Sequence, residues 1–442
     1  MSILEKYSLK EICDFQNGFA FKNEDYIEKN DDALEVFRMG YINKGGGYKD
    51  DSSPVFIPKS YPKNLEKYLL LEGDIAMAMT DMKNSMAILG YSARIPTSNR
   101  FVLNQRVGRI RVIKKDLVDE KYLYYFMNSK EYILSLQSKS NSGVQVNLGT
   151  NAIKDSIIFL PSLQRQKYVS DILYTLDEKI ALNTQINQTL EQIAQTIFKS
   201  WFIDFDPVHA KANALASGQT AEQATQAAMA VISGKNTQEL HRLQTANLEQ
   251  YQQLWEIAEA FPSGVDEEGV PRGWEERYLK DVCNIVYGKN LPTSELKEQG
   301  YPVFGGNGVI GFYDKYLYEK PHTLVSCRGA ASGKVIYSLP NSFVTNNSLV
   351  IEHSKSYLSS FYVYEALSIQ NLTELTSGSA QPQMTIANMN PVQIMVPTEI
   401  VHSLYVDFVK DIYDKKLCRL YENEILSKIR DELLPKLLSG EV

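Results

Sequence analysis

Four short features have the residue types that catalysis needs, and the neighbours of each decide whether it could serve. Gly306-Asn307-Gly308-Val309-Ile310-Gly311 spells the GxGxxG of a dinucleotide loop. That loop must open a helix whose N-terminus faces the pyrophosphate, and Phe312-Tyr313-Asp314-Lys315 makes no helix start. Asp206-Pro207-Val208-His209 has the outline of the Asp-Pro-Pro-Tyr box of amino-methyltransferases, yet no glycine-rich cofactor loop precedes it. Glu295-Leu296-Lys297 could imitate a nuclease Glu-x-Lys, but no partnering Asp stands before it. His209, His241, His322, His353 and His402 form no metal-ligand spacing. We read no active site in this chain.

Binding chemistry is better marked. From Lys83 to Lys115 the chain carries Lys83, Arg94, Arg100, Arg106, Arg109, Arg111, Lys114 and Lys115 and no acid, although the net charge is −7. A second acid-free stretch, Lys320 to Ile351, holds Lys320, His322, Arg328 and Lys334. Two such windows in an acidic protein predict two anion-binding faces. On a strand, Arg109 and Arg111 project to one side, as phosphate contacts along a groove require. The competing reading is a strand face that pairs with acidic neighbours. Amides gather nearby (Asn104, Gln105, Gln145, Asn147, Asn346, Asn347, Gln381, Gln383), and such side chains can pair with adenine edges. Residues that recur in both halves of the chain, such as Asn104 with Asn346 and Gln145 with Gln381, are expected to serve a common scaffold. Readers of different sequences should sit in the loops that do not repeat: Lys44, Lys83, Asn84, Arg100, Lys289, Asn307, Arg328 and Lys334.

These residues need elements to carry them, and the longest is a helix. From Leu160 to about His209 the sequence runs some forty residues without glycine or proline after Pro161 and stops at Asp206-Pro207. Val169, Leu173, Leu176, Ile180, Leu190, Ile193, Ile197 and Trp201 recur at steps of three and four, the narrow stripe of a helix packed along another. Asn183 and Asn187 interrupt it, a device that can fix register. At 1.5 Å per residue such a helix spans about 60 Å. A second copy follows Val396-Pro397, with Val406, Val409, Tyr413, Leu417, Leu420, Leu426, Ile429, Leu433 and Leu437. Trp201, Phe202 and Phe205 crowd the end of the first helix, too much aromatic surface to leave wet.

The echo extends to the globular parts. Tyr7 to Cys13 answers Tyr278 to Cys283, Gly18 answers Gly288, and Val36-Phe37 answers Val303-Phe304. Phe101 to Asn104 is matched with Phe343 to Asn346, Ser142 to Gln145 with Gly378 to Gln381, and Ile157 to Pro161 with Gln393 to Pro397. Each unit reads as short β-runs (74–77, 109–113, 323–326) with glycine turns between them, plus one helix near 119–137 or 357–375. The Ala- and Gln-rich stretch 210–260 predicts two or three surface helices without a core of their own. With 442 residues, 44% hydrophobic and 22% charged, the chain has room for two or three ordinary globular domains. No apolar run reaches membrane-spanning length and no signal-peptide pattern opens the chain. Four scattered cysteines, Cys13, Cys283, Cys327 and Cys418, favour a reducing cytoplasm without structural zinc.

Three segments carry a resemblance to a known family. Leu160-Pro161-Ser162-Leu163 with Gln166, Leu190 to Val208, and Arg430 to Glu441 are similar to the conserved regions of type I restriction–modification specificity subunits. The resemblance implies an α+β protein: two similar mixed α/β target recognition domains joined by two long antiparallel helices as a coiled coil, with an internal pseudo-two-fold repeat. The expected parts are recognition domain 1 at 1–160, the central helix at 161–209, a helical linker at 210–261, recognition domain 2 at 262–397 and the C-terminal helix at 398–442. Each domain would read one half of a split, asymmetric site in double-stranded DNA, contacting it through the loop residues above and Arg106, Arg109 and Arg111. The helices would set the spacer and dock two adenine-N6 methyltransferase subunits through Ile193, Ile197, Trp201, Phe202, Phe205, Leu433 and Leu437, and motor-nuclease restriction subunits would join them. The chain itself would be non-catalytic and bind no cofactor. S-adenosylmethionine would belong to the methyltransferase subunits, ATP and Mg to the motor-nuclease. Two rivals remain at this point: a DNA methyltransferase with an unrecognised cofactor site, and a structural scaffold that does not bind DNA.

Overall fold

A computed structural model describes residues 4–51, 53–82, 86–141, 145–378 and 382–441. The chain forms two compact units, the first made of Met1–Asn183 with Tyr421–Val442, the second of Thr184–Leu420. The fold is α+β, and the two units repeat one strand plan.

In the first unit an antiparallel sheet runs in the order Cys13–Asn17, Val107–Val112, Ile75–Ala78, Ser92–Arg94. Beside it a three-stranded sheet holds Phe56–Pro58, Ala33–Phe37 and Phe101–Leu103, the last two parallel. The second unit has Asn284–Tyr287, Ser348–Glu352, Thr323–Ser326 and Val335–Tyr337 in the same order. Its three-stranded sheet is Gly308–Tyr313, Tyr301–Gly305 and Phe343–Val344, again with one parallel pair. The GxGxxG run is therefore the turn and second strand of a hairpin. A two-stranded ribbon closes each unit, Glu5–Ser8 on Ile157–Leu160 and Glu275–Tyr278 on Gln393–Val396.

The helix expected at 119–137 is broken in two, Glu120–Met127 and Lys130–Gln137. Asn128 causes the break: its amide donates to Tyr124 O at 3.1 Å, and its Oδ1 accepts from the Ser92 N–H at 2.9 Å, so the side chain ends one helix and ties it to a strand. The second unit keeps one short helix, Ser360–Ser368, followed by a 3-10 turn at Leu372–Leu375.

The long helices are Leu163–Phe202 and Glu399–Ser439, and each unit contains half of both. In the first unit Arg430 pairs with Asp177 at 2.8 Å, and Asn183 donates to Glu422 Oε2 at 2.8 Å and Asn423 Oδ1 at 2.9 Å. One number rises as the other falls, so these halves run antiparallel. In the second unit Asn187 donates to Lys416 O at 3.1 Å and Trp201 lies on Phe408, again antiparallel. Asn183 is fully buried with its own Oδ1 unbonded. An uncompensated amide oxygen costs stability and disfavours a slipped register, where the donors would also be lost.

The buried stripe differs from the expected one in its second half. It passes through half-buried Leu190 and buried Ala194 and Phe198, with Ile193 beside it and 42% exposed. The heptad that runs 169, 173, 176, 180, 183, 187, 190 continues to 194, where a small residue hides it. The first helix ends at Phe202, and Phe205 takes φ +52° ahead of Pro207 in the first turn of the next helix.

The insertion holds four helices, Asp206–Ala216, Ala221–Ser233, Thr237–Ala246 and Leu248–Ala260. Contrary to expectation they have a core, in which Ala228, Met229, Leu240, Tyr251, Leu254 and Ala258 are buried together. Lys211 is also buried and donates to the carbonyls of Ala258, Glu259 and Phe261 at 3.2, 3.0 and 2.6 Å. It thus occupies the C-terminal end of the last helix, where a cation meets the helix dipole.

Candidate nucleic-acid interface

Backbone hydrogen bonds fix which residue of one unit corresponds to which of the other. Phe19 N–H donates to Leu103 O and Lys289 N–H to Val344 O. Met79 N–H donates to Arg106 O and Cys327 N–H to Asn347 O; Leu148 N–H donates to Met79 O and Met384 N–H to Cys327 O. Hence Phe19 corresponds to Lys289, Asn104 to Thr345, Arg106 to Asn347, Thr80 to Arg328 and Asn147 to Gln383. The match of Asn104 with Asn346 read from sequence was off by one residue, because Phe101-Val102 and Phe343-Val344 look alike in either register. Of the Gln145/Gln381 match, Gln381 lies outside the described residues, as do Ser142, Gly143 and Val144. Gly18 and Gly288 do correspond. A Cβ on either would stand 1.9 or 2.2 Å from the carbonyl oxygen of Asn104 or Thr345, so the strand contact admits no side chain at all.

The first basic window is acid-free along the chain but not in space. Arg109 is buried, bonded to Asp14 on the neighbouring strand and to Lys67 O at 3.0 Å. Arg111 grips Asp74 at 2.6 and 2.7 Å, and that hydrogen-bonded carboxylate holds the guanidinium pKa above its ordinary value. Arg100 pairs with Glu35 at 2.8 Å and reaches Asp50 at 3.4 Å while lying on the Phe101 ring. Its pKa is likewise raised, chiefly by the hydrogen bond to Glu35. Burial and pairing correct the assignment of Arg109 as a phosphate contact, while Arg111 and Arg100, with side chains 32% and 41% exposed, are paired with carboxylates of the fold. A window count cannot see partners that come from other strands.

The remaining candidates stand free or lie outside view. Lys83 and Asn84 fall outside the described residues. Lys44 is exposed on a turn where Gly45, Gly46 and Gly47 have φ of +84°, +92° and +101°, values that require glycine. Arg106, Lys289 and Arg328 are exposed and make no side-chain hydrogen bond or ion pair among the described residues. Lys334 Nζ donates to Asn307 Oδ1 at 2.6 Å, so these two are brought together. Asn347 and Gln383, named from sequence among the nearby amides but not among the candidate readers, stand exposed beside Arg328; for Asn347 the hydrogen-bond register given above was the missing signal. Among the described residues no cluster of three His, Cys, Asp or Glu side chains could hold a metal ion.

The expected docking residues are redistributed as well. Trp201 and Phe202 are buried in the second unit's own core, against Phe261, Trp274, Tyr362 and Tyr405 at 5.0–5.7 Å between rings. Phe205 leans on Trp274, and Ile197 packs at the edge of the same core. Leu437 is buried in the first unit's core with Leu433 packed against it. These six side chains hold the fold, because the aromatic surface judged too large to leave wet is covered from within. Ile193 alone of the set is an exposed apolar residue. Others stand out on the helices: Leu182, Ile425 and Ile429 in the first unit, Phe408 and Leu420 in the second.

The duplicated scaffold has relatives. The family model described as the type I restriction modification DNA specificity domain matches residues 1–192 and again 271–426. The chain belongs to the type I restriction–modification specificity subunits. It is 33% identical over 356 residues to the HindI specificity subunit of Haemophilus influenzae, covering 73% of this chain and 76% of that one. The MjaIX specificity subunit of Methanocaldococcus jannaschii is 23% identical over 385 residues, covering 82% and 77%. In fold, the chain is similar to the crystal structure of the S subunit of a type I system from M. genitalium, with TM-score 0.53, 17% identity and 99% and 96% coverage. This specificity subunit has no helix long and apolar enough to cross a membrane among its described residues. Its four cysteines are free, Cys418 alone being exposed. The family match skips residues 193–270, which include the four-helix insertion.

Proposed function

We propose that each unit of this specificity subunit reads one half of a bipartite, asymmetric DNA site. The observation that carries this reading is the duplication: one strand plan occurs twice, with the same glycine contacts beneath and different exposed side chains above. Two adenine-N6 methyltransferase subunits dock on the exposed apolar residues of the long helices, and motor-nuclease subunits join that assembly. The helices set the number of unread base pairs between the halves. Methyl transfer, with S-adenosylmethionine, and ATP hydrolysis, with Mg, take place on the partners, in the cytoplasm where the DNA lies. An unrecognised methyltransferase or an inert scaffold would have no use for two different readers on one frame.

The test is an exchange of modules. Replacing residues 1–160 by the corresponding domain of a relative, in a host carrying the complete system, should change one half of the methylated motif and leave the half read by 262–397 intact. A swap that alters both halves would show that the units read jointly.

A further inference from the structure

The two units form a comparison within one molecule. Where a shared backbone position serves the fold, its chemistry recurs: Leu9 and Leu279, Cys13 and Cys283, and Gly18 and Gly288 are alike. Three shared positions at the end of the central strands behave otherwise. They carry Thr80, Arg106 and Asn147 in the first unit, and Arg328, Asn347 and Gln383 in the second.

In the second unit this spot is built around the end of the strand Thr323–Ser326. Cys327 N–H donates to Asn347 O at 2.9 Å, Met384 N–H to Cys327 O at 3.2 Å, and Arg328 forms a β-bridge with Gln383. The Gly305–Gly308 turn lies over the same strand end. A Cβ on Gly306 would stand 2.8 Å from Ser326 Oγ, so glycine lets the turn settle there and brings Asn307 alongside. Lys334 then holds Asn307 by its amide oxygen, which leaves the amide NH2 as the group on offer. Arg328, Asn347 and Gln383 are exposed, and among the described residues their side chains make no hydrogen bond or ion pair. The first unit's Arg100, Arg109 and Arg111, by contrast, are all engaged by carboxylates.

We infer that Arg328, Asn347 and Gln383, with Asn307 held by Lys334, are the base-reading set of the second unit. This rests on the proposed function and names its residues. A guanidinium fork matches O6 and N7 of guanine, while carboxamides match the N6 and N7 edge of adenine. Lysine cannot reproduce that fork. The half-site read by this unit therefore contains a G·C pair specified by Arg328. At the equivalent positions of the first unit the one cationic side chain is Arg106, so the same frame presents different chemistry in each half.

The experiment is methylome sequencing of hosts that carry the complete system with the natural chain, Arg328→Ala or Arg328→Lys. Both variants should lose discrimination at one base pair of the half read by 262–397, by about 10- to 100-fold. The other half should stay intact and reports that the variant folds and assembles. Lys334→Met should degrade the same base pair as Asn307→Ala, which a merely structural lysine would not do. An unchanged motif in both Arg328 variants overturns the inference and leaves the proposed function standing. Full stringency in the lysine variant alone also overturns it, by making Arg328 a phosphate contact. If the natural chain directs no bipartite methylation, the proposed function fails and this inference with it.

Discussion

The Tyr413 hydroxyl donates to Glu365 Oε1 at 2.5 Å, joining the second long helix to the helix Ser360–Ser368 of the recognition fold. Glu365 is fully buried and its other oxygen has no partner. Burial raises its pKa to about 7, against the opposing effects of the Tyr413 hydrogen bond and the Lys416 charge. In the same unit, buried His402 accepts the Ser359 N–H on Nε2 at 3.0 Å, which needs the neutral ring, and burial lowers its pKa to about 4.

The two groups oppose each other in pH. The folded chain keeps the Glu365 proton that the unfolded chain sheds near 4.5, so this contribution is fully present below 4.5 and is lost as pH rises through about 7. His402 is the reverse: its contribution is present above 6.5 and is lost as pH falls through about 4. Each is worth on the order of 3 kcal/mol, and between 4.5 and 6.5 they cancel. Relative to the natural chain, Glu365→Gln should make stability climb with pH across that window, and His402→Phe should make it fall. Urea midpoints at several pH values check this, and parallel profiles for all three chains would refute it.

A second expectation separates arginines that sequence grouped together. Arg106→Glu should leave stability unchanged, weaken DNA binding by the assembled complex and reduce its salt slope by about one. Arg109→Glu puts a carboxylate in a buried site beside Asp14 and should cost roughly 3–5 kcal/mol. Denaturant unfolding and binding across a salt series distinguish them. Equal loss of stability in both would mean that Arg106 is also held by the fold.

The third concerns the long helices. Phe198→Asp buries a charge in the second unit's core and should cost several kcal/mol. Ile193→Asp, five residues earlier and off the stripe, should melt like the natural chain and yet lose methyltransferase co-purification. An Ile193→Asp chain that unfolds early would return Ile193 to the buried stripe.

Sequence alone carried the duplication, the long helices and the strand-rich units, because those depend on periodicity and on local contacts. It failed where partners are distant. The carboxylates that engage Arg109, Arg111 and Arg100 stand 95, 37 and 65 residues away, and no window scan reaches them. Ala194 continued the heptad but was too small to register beside Ile193. The insertion looked coreless because its Leu240, Tyr251 and Leu254 are spread among alanines and glutamines, and their convergence is tertiary. At the reading site, Arg328, Asn307 and Lys334 were visible as unrepeated polar residues. Asn347 needed the true register, which the sequence match had shifted by one, and Gln383 was visible only as one of the nearby amides.

The bond from Lys211 to Phe261 has a practical consequence. The lysine lies in the first helix of the insertion and Phe261 just past the last, so the chain leaves the recognition frame and returns to it within reach of one side chain. The ring closure of residues 212–260 is thus already made, and further length there adds little entropic cost. The insertion behaves as a cassette. Its contents can be shortened, exchanged or replaced by a reporter domain, provided that Lys211 keeps its three carbonyls and Trp201 keeps Phe261.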